Sequence, residues 1–203
     1  MVARSSHPAD RPSLPDQLRL GRRARFSRCR RYRWWLERVW DPAAPRLLFI
    51  GLNPSRADAD RDDPTLRRLV GFARGWGFGG LEVVNLFARV GALPAQLRQA
   101  GDPVGPGNDR WIRHCLAHSS LVWLGWGNHG SWQQRDQQVL RLLRRQSVPL
   151  AALGLTRSGS PLHPLYRPAG LPLRRLAPSW AHAPQECPAS CPVSLVVSTS
   201  ICC

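Results

Sequence analysis

The fold class of this chain can be inferred from one stretch, RLLFIGLNPSRADADRDDPTLRRLVGFARGWGFGGLEVVNLF, which runs from Arg46 to Phe87. It begins with a short apolar run that ends at Gly51, as expected of a strand that is buried on both faces. Asp63 can cap a helix that has Pro64 in its first turn and an apolar residue every three or four positions. A second apolar run, Leu81–Phe87, follows two glycines. The stretch therefore predicts a strand, a helix and a second, parallel strand.

The same alternation continues toward the C terminus. LVWLGWG at Leu121–Gly127 and PLAALGL at Pro149–Leu155 are further strand candidates. Helical patterns begin at Asn108 or Asp109, either of which can cap, and again at Ser131. Alternating strands and helices favour right-handed crossovers. We therefore expect a three-layer αβα domain whose central sheet has about four mostly parallel strands.

The two ends of the chain differ in composition from its middle. Residues 1–30 are rich in Arg, Pro and Ser and show no hydrophobic period, which predicts a flexible basic arm. Residues 177–203 again lose periodicity and contain four of the six cysteines, which predicts a disordered tail. The α/β domain is expected to cover residues 31–176.

The charge of the chain favours polyanionic partners. Its formal net charge is +16, and every one of its 29 basic residues is Arg. A positive field of this size attracts nucleic acid, although a GC-rich genome would also explain the preference for Arg. DNA or a nucleotide is therefore a candidate partner.

Several classes of protein are not favoured by the sequence. The cysteines lack the repeated Cys-x-x-Cys spacing of zinc or iron-sulfur sites, so we expect no metal and no cofactor. The run Asp58, Asp60, Asp62 and Asp63 has a spacing that calcium or magnesium could use, but the expected bidentate Glu is missing, which favours helix capping. No apolar run resembles a secretory signal or a membrane span, so we expect a cytoplasmic protein.

Polar residues follow each predicted strand, and the carboxyl ends of parallel strands meet at one edge of a sheet. This set is rich in neutral hydrogen-bonding groups and poor in acids, which suits recognition of a planar polar molecule. Its members with candidate roles in substrate binding or catalysis are Asn53, Ser55, Arg56, Asn85, Asn128, His129, Arg157, His163 and Tyr166.

Each of these residues also has a purely structural interpretation. Asn53-Pro54 is a common way to begin a turn. Asn85 lies in an apolar run, where its amide needs partners that either the protein or a ligand can supply. His129 and His163 lie in loops, where a histidine is often only a surface residue.

Residues 32–166 resemble a bacterial family known as domain of unknown function 1643. The segments that carry the resemblance are WWLERVWDP, the long stretch from Arg46 to Ala88, DPVGPGND, WGNHG and LGLTRSGSPLHPLY. They cover about two-thirds of the chain. That family name implies no reaction.

A looser resemblance implies more about function. Gly-Leu-Asn-Pro after the first strand, Val-Val-Asn-Leu in the second, Leu-Gly-Trp-Gly in the third and His-Pro after the fourth are similar to motifs of the uracil-DNA glycosylase superfamily. The resemblance implies that Asn53 positions the attacking water, that Asn85 binds the edge of a flipped base, and that His163 stabilises the departing base. It also implies that Leu165 and Tyr166 wedge into DNA.

The chain departs from those motifs in two places. Leu165 stands where the superfamily has Ser, and an insertion before His163 adds Arg157, which could contact phosphate or base. The aromatic residue that stacks on the base is not assigned. Phe72, Trp76 and Phe87 are candidates, and each also suits the core.

Three functions follow from these patterns. The leading hypothesis is a glycosylase-like enzyme that acts on a nucleobase in DNA, a nucleotide or a modified nucleoside. The alternatives are a nucleic-acid-binding module without catalysis and an enzyme that processes small nucleosides.

Overall fold

The structure is a computed structural model that describes residues 21–91, 97–165 and 167–182. Seven strands in these residues form one sheet. In chain order they are β1 (Arg22–Phe26), β2 (Arg33–Val39), β3 (Arg46–Gly51), β4 (Gly80–Asn85), β5 (Leu121–Leu124), β6 (Leu150–Ala152) and β7 (Arg174–Arg175).

The sheet is parallel in its centre and antiparallel at both sides. Its strand order is β1-β2-β4-β3-β5-β6-β7. The β4–β3, β3–β5 and β5–β6 pairs are parallel, whereas β1–β2, β2–β4 and β6–β7 are antiparallel. The mixed α/β class and the four central strands are therefore confirmed. The expected number of strands is wrong, because the described residues contain seven.

Strand β2 contains charged residues that interrupt its hydrophobic pattern. In this strand Arg38 forms an ion pair with Asp62 at 2.7 Å, and Glu37 pairs with Arg46 at 3.0 Å. Arg22 of β1 reaches the same Asp62 at 2.8 Å. Because partners from distant parts of the chain neutralise these charges, charged residues occupy strand positions where the sequence pattern would require apolar ones. Neither strand therefore shows the period of two that reveals a half-buried strand.

Among the described residues, three helices with defined bounds cover the sheet: α1 (Pro64–Gly75), α2 (Asn108–Leu116) and α3 (Arg135–Leu143). The cap of α1 is as expected, since the Asp63 carboxylate accepts a hydrogen bond from the Leu66 N–H at 2.8 Å. The start of α2 is different. Its N-cap is Gly107, at φ 75° and without a side-chain bond, so neither Asn108 nor Asp109 caps it.

The expected helix start at Ser131 is also wrong. Residues Asn128–Gln134 form 3₁₀ turns that are interrupted at Trp132 and Gln133, and α3 begins only at Arg135. The apolar residues of this segment lie late, within α3, and the turns before it have too few to show a helical period.

The helices lie on both faces of the sheet, which gives the expected three layers. In β3, Leu48 and Ile50 pack into the core on the side of α2 and α3, while Leu47 and Phe49 pack on the side of α1. A strand buried on both faces is continuously apolar, which is why β3 was predicted with its exact bounds, Arg46–Gly51.

The described parts of both chain ends join the domain. Strand β1 lies within the stretch expected to be a flexible arm, and residues 1–20 lie outside the described residues. In the stretch expected to be a disordered tail, Pro178–His182 form a 3₁₀ turn, and Trp180 and Ala181 pack against the core beside α3. Residues 183–203 lie outside the described residues.

Among the described residues, no helix combines the length and the apolar character that a membrane crossing requires.

Candidate functional site

A cavity of about 330 Å³ lies at the carboxyl ends of β3, β4 and β5. Its volume is at the lower end of the range of about 300–1,000 Å³ that is usual for small-molecule sites, so it suits a small ligand. The polar side chains that line it are Arg33, Asn53, Ser55, Thr65, Asn85, Trp126, His129 and His163. The cavity therefore brings together Asn53, Asn85 and His163, the three residues around which the predicted site is built.

Asn53 follows β3, and its amide is fixed by the main chain. Its Nδ2 donates to the Gly91 carbonyl at 2.8 Å and, at 3.4 Å, to that of Pro54. Because both bonds use the NH₂ group, the Oδ1 atom remains as the acceptor that this side chain can offer to a ligand or water. The turn interpretation and the binding interpretation of Asn53 are thus compatible.

Asn85 ends β4 and lies almost fully buried, at 3% exposure. Its Nδ2 has no hydrogen-bond partner among the described residues. The Oδ1 atom lies against Gly51, where an added Cβ would come within 2.9 Å of it. A buried amide N–H without a partner is costly, and a ligand in the cavity can supply the missing acceptor.

The main chain around Asn85 is held by the opposite face of the sheet. Asn108 Nδ2 donates to the carbonyls of Asn85 and Leu86, at 3.1 Å and 2.9 Å. Arg135 Nε donates to the Leu86 carbonyl at 2.7 Å, and its guanidinium pairs with Asp109. The end of β4 is therefore fixed by two buried side chains. The sequence had indicated only a helix cap for Asn108 and no role for Arg135.

His163 presents a defined tautomer to the cavity. Its Nδ1 accepts a hydrogen bond from the Leu165 N–H at 3.2 Å, so a neutral ring carries its proton on Nε2. Burial lowers the pKa of His163, and the positive charge of Arg167 lowers it further. At neutral pH the side chain is thus an uncharged hydrogen-bond donor through Nε2.

The other predicted site residues divide into two groups. Ser55, His129 and Leu165 line the cavity, whereas Arg56, Asn128 and Arg157 do not. Those last three are exposed, and Asn128 Oδ1 instead accepts a hydrogen bond from Ser158 at 2.9 Å. Tyr166 lies outside the described residues.

Of the described aromatic rings, Phe49 and Trp126 line the cavity. Phe49 crosses the end of the sheet, where an added Cβ at Gly51 or Gly125 would come within 2.9 Å or 2.5 Å of its ring. The three candidates named from the sequence, Phe72, Trp76 and Phe87, belong to the core and do not line the cavity.

Sequence reasoning also missed Arg33. It precedes the two tryptophans of β2, is 3% exposed, and donates from Nη1 to the Ala57 carbonyl at 2.8 Å. The antiparallel strand that carries it was not predicted, and a single Arg among 29 basic residues gives no signal by itself.

The acidic run before α1 has structural partners. Asp63 caps the helix, Asp62 binds Arg22 and Arg38, and Asp58 accepts hydrogen bonds from two main-chain N–H groups of its own turn. In the described ranges no group of three or more His, Cys, Asp or Glu residues could hold a metal ion.

Comparison with known proteins shows a family match. A family model described as "Protein of unknown function (DUF1643)" matches residues 33–165. The matched range begins at Arg33 and ends at Leu165, so it contains every residue that lines the cavity. No curated protein and no solved structure matches this chain.

Proposed function

This chain belongs to the DUF1643 family of proteins of unknown function, and we propose that it is a glycosylase-like hydrolase that binds a nucleobase and cleaves its N-glycosidic bond. The observation that carries the proposal is that Asn53, Asn85 and His163 line a single cavity. Asn53 offers an acceptor after β3, and Asn85 offers an unpaired donor at the end of β4. His163 offers a neutral donor in the loop that follows β6. Such a set can bind a ring edge, a water molecule and a leaving group together.

In the proposed reaction, Asn53 orients the attacking water. An amide is not a base near neutral pH, so Oδ1 can accept a hydrogen bond from water but cannot take up its proton. The carbon–nitrogen bond must therefore be largely broken before the water oxygen bonds to the sugar carbon, through a transition state with oxocarbenium character. The base leaves with the bonding electron pair, and the proton released by the water balances that charge.

Asn85 and Phe49 bind the base in this scheme. The unpaired Asn85 N–H can donate to a carbonyl oxygen on the ring edge, and the Phe49 ring lies at the same end of the sheet to contact the flat face. Fixing the main chain of Asn85 through Asn108 reduces the entropy lost when the ring binds.

His163 stabilises the departing base. Negative charge develops on the base as the bond breaks, and a preorganised donor at that place lowers the barrier. The Nε2–H of the neutral ring is such a donor, and the lowered pKa of His163 keeps it uncharged at neutral pH. A cation is not required at this position for a hydrogen bond to strengthen as charge develops.

The reaction can be tested directly. The full chain is incubated with single-stranded and duplex DNA that carry uracil, hypoxanthine or 5-hydroxymethyluracil, and with the matching nucleosides. Abasic sites are measured by alkaline strand cleavage and released bases by chromatography. We expect base release from at least one substrate, and loss of that activity in Asn53→Ala and His163→Ala. The matched control is His118→Ala, an exposed histidine outside the cavity.

Absence of product on every substrate, with a folded protein, would contradict the enzymatic proposal. The net charge of +16 supports a second function in that case, a nucleic-acid-binding module without catalysis. It predicts an affinity for DNA that falls steeply with salt and that Asn53→Ala and His163→Ala leave unchanged.

A further inference from the structure

The cavity contains buried donors that lack acceptors. Arg33 Nε and Asn85 Nδ2 are both buried and have no hydrogen-bond partner among the described residues, and both residues line the cavity. Trp126 also lines the cavity, but its unpartnered Nε1 lies against Gly130, which does not line it. Three buried side-chain oxygens among the described residues also lack a hydrogen-bond partner. They belong to Glu37, Asn108 and Asp136, and none of these residues lines the cavity. The unsatisfied groups of the cavity are thus all nitrogens.

The cavity also contains a buried positive charge. Arg33 is 3% exposed, and its described hydrogen bond is to a neutral carbonyl, that of Ala57. No carboxylate lines the cavity, and none lies within ion-pair distance of Arg33 in the described residues. A buried cation without a paired anion is unstable relative to one that a ligand neutralises.

We propose that Arg33 makes the cavity selective for rings whose bound edge carries oxo groups and negative charge, and that rings with an amino group on that edge are excluded. This inference rests on the proposed function, because it treats the cavity as a nucleobase site. It adds a specificity-determining residue from β2, a strand that contains none of the glycosylase-like motifs.

The selectivity follows from the unpaired hydrogen-bond donors in the cavity. An oxo edge of an imide places carbonyl oxygens opposite the unpaired N–H groups, and ionisation of the imide adds a charge that the guanidinium pairs with. An amino edge would instead place N–H groups against N–H groups. One buried mismatch of this kind costs enough to discriminate strongly between rings of the same size.

Wild-type protein provides the first test, by calorimetric titration with 5-fluorouracil, uracil and cytosine. We expect cytosine to bind about tenfold or more weakly than uracil. The imide of 5-fluorouracil is the more acidic of the two, so its affinity relative to uracil should rise between about pH 6 and about pH 8. Equal affinity for uracil and cytosine, or a ratio that does not change with pH, would overturn the proposal.

Arg33→Gln controls for titration of the protein itself. The charged groups near Arg33 are Asp58, Asp63 and Arg38, and the titratable side chains of the cavity are His129 and His163. Arg33→Gln leaves these groups in place, so a pH dependence of the ratio that persists in that variant comes from them and not from the guanidinium. Burial lowers the pKa of Arg33 to about 10, so the guanidinium remains charged over this pH range.

Variants of Arg33 provide the second test. Arg33→Gln removes the charge and should weaken the binding of 5-fluorouracil at about pH 8 by about 10- to 100-fold. It should also reduce the ratio of the affinity for 5-fluorouracil to that for cytosine. Arg33→Lys keeps the charge without the planar fork and should recover part of the loss. The control is Arg113→Gln, an exposed residue of α2. If folded Arg33→Gln keeps the wild-type selectivity, the role of Arg33 is wrong.

Failure of this inference and failure of the proposed function give different results. Selective ring binding without release of any base would support the role of Arg33 and contradict catalysis. Base release with equal affinity for oxo and amino rings would support catalysis and contradict the role of Arg33. The wild-type titration does not depend on whether the Arg33 variants fold.

Discussion

The Leu165 main-chain N–H donates to Nδ1 of His163 at 3.2 Å. This bond assigns the proton of the neutral ring to Nε2 and uses a main-chain group to do so, where a carboxylate would instead raise the pKa. The structure thus holds His163 as a neutral donor in the same cavity as Asn53 and Asn85.

Loss of the His163 imidazole should slow base release by about 100- to 1,000-fold, the usual cost of removing one donor from a developing anion. His163→Gln, whose amide can donate from a similar place, should recover part of the rate. Both variants are measured by single-turnover kinetics on the substrate found active. A rate in His163→Ala equal to that of the wild type would exclude the proposed leaving-group role.

The activity should depend on pH in a particular direction. Burial and Arg167 lower the pKa of His163 below its ordinary value of 6.5, so the neutral donor persists to lower pH than in an ordinary histidine. We expect a rate that is level through neutrality and falls only below about pH 6.5. Because protonation of His163 favours the unfolded chain, the stability of the fold should also decrease as the pH drops through that range. A rate that increased as the pH dropped would indicate a cationic catalyst.

The same substitution should destabilise the protein at Asn53 and have little effect at Asn128. Asn53→Asp removes the N–H that donates to Gly91 and sets a carboxylate against a carbonyl, which should destabilise the protein by about 1–3 kcal/mol. Asn128→Asp keeps the oxygen that accepts from Ser158 and should change stability by less than about 0.5 kcal/mol. Urea unfolding measures both. Similar values for the two variants would mean that the Asn53 amide is not fixed as described.

Gly51 should be required for the position of the Asn85 amide. An added Cβ would lie 2.9 Å from both Asn85 Oδ1 and the Phe49 ring, so Gly51→Ala should displace one of the two and weaken nucleobase binding about tenfold or more. Gly71→Ala is the control. It lies within α1 with open space around it and should stabilise the helix by up to about 1 kcal/mol without changing affinity. Unchanged affinity in Gly51→Ala would contradict the packing of the site.

Glu82 should make stability fall as the pH rises. Burial raises its pKa above the ordinary 4.5 despite the hydrogen bond from Trp35 Nε1, and the charge of Glu37 raises it further. The folded state therefore holds the proton more tightly, and its stability decreases from about pH 4.5 upward through the raised pKa. Glu82→Gln should remove this decrease and add on the order of 1 kcal/mol at neutral pH. Urea unfolding across pH would show the same slope in both proteins if Glu82 were not responsible.

The sequence predicted the centre of the fold because its signals are local. Strand β3 is buried on both faces and reads as a continuous apolar run, and Asp63 and Pro64 mark the start of α1 within four residues of chain. Strands β1 and β2 were missed because their charged side chains are neutralised by partners from elsewhere, such as Asp62 for Arg22 and Arg38.

The same distinction applies to the site. Asn53, Asn85 and His163 follow strands, so the topology of a parallel sheet was sufficient to expect them at one edge. Arg33 and Phe49 were missed, because one lies on an unpredicted strand and the other looks like any core residue until the glycines beside it are seen in three dimensions. Arg56, Asn128 and Arg157 follow strands too, but they point to solvent, and no one-dimensional pattern separates these cases.

A crystal structure of the full chain, soaked with uracil at saturating concentration, would show whether Asn53, Asn85 and His163 form a nucleobase site. We expect the ring within the cavity, an oxo oxygen within hydrogen-bond distance of Asn85 Nδ2, and His163 Nε2 facing another ring oxygen. A ring bound elsewhere, or one in the cavity with His163 turned away from it, would exclude the proposed nucleobase site.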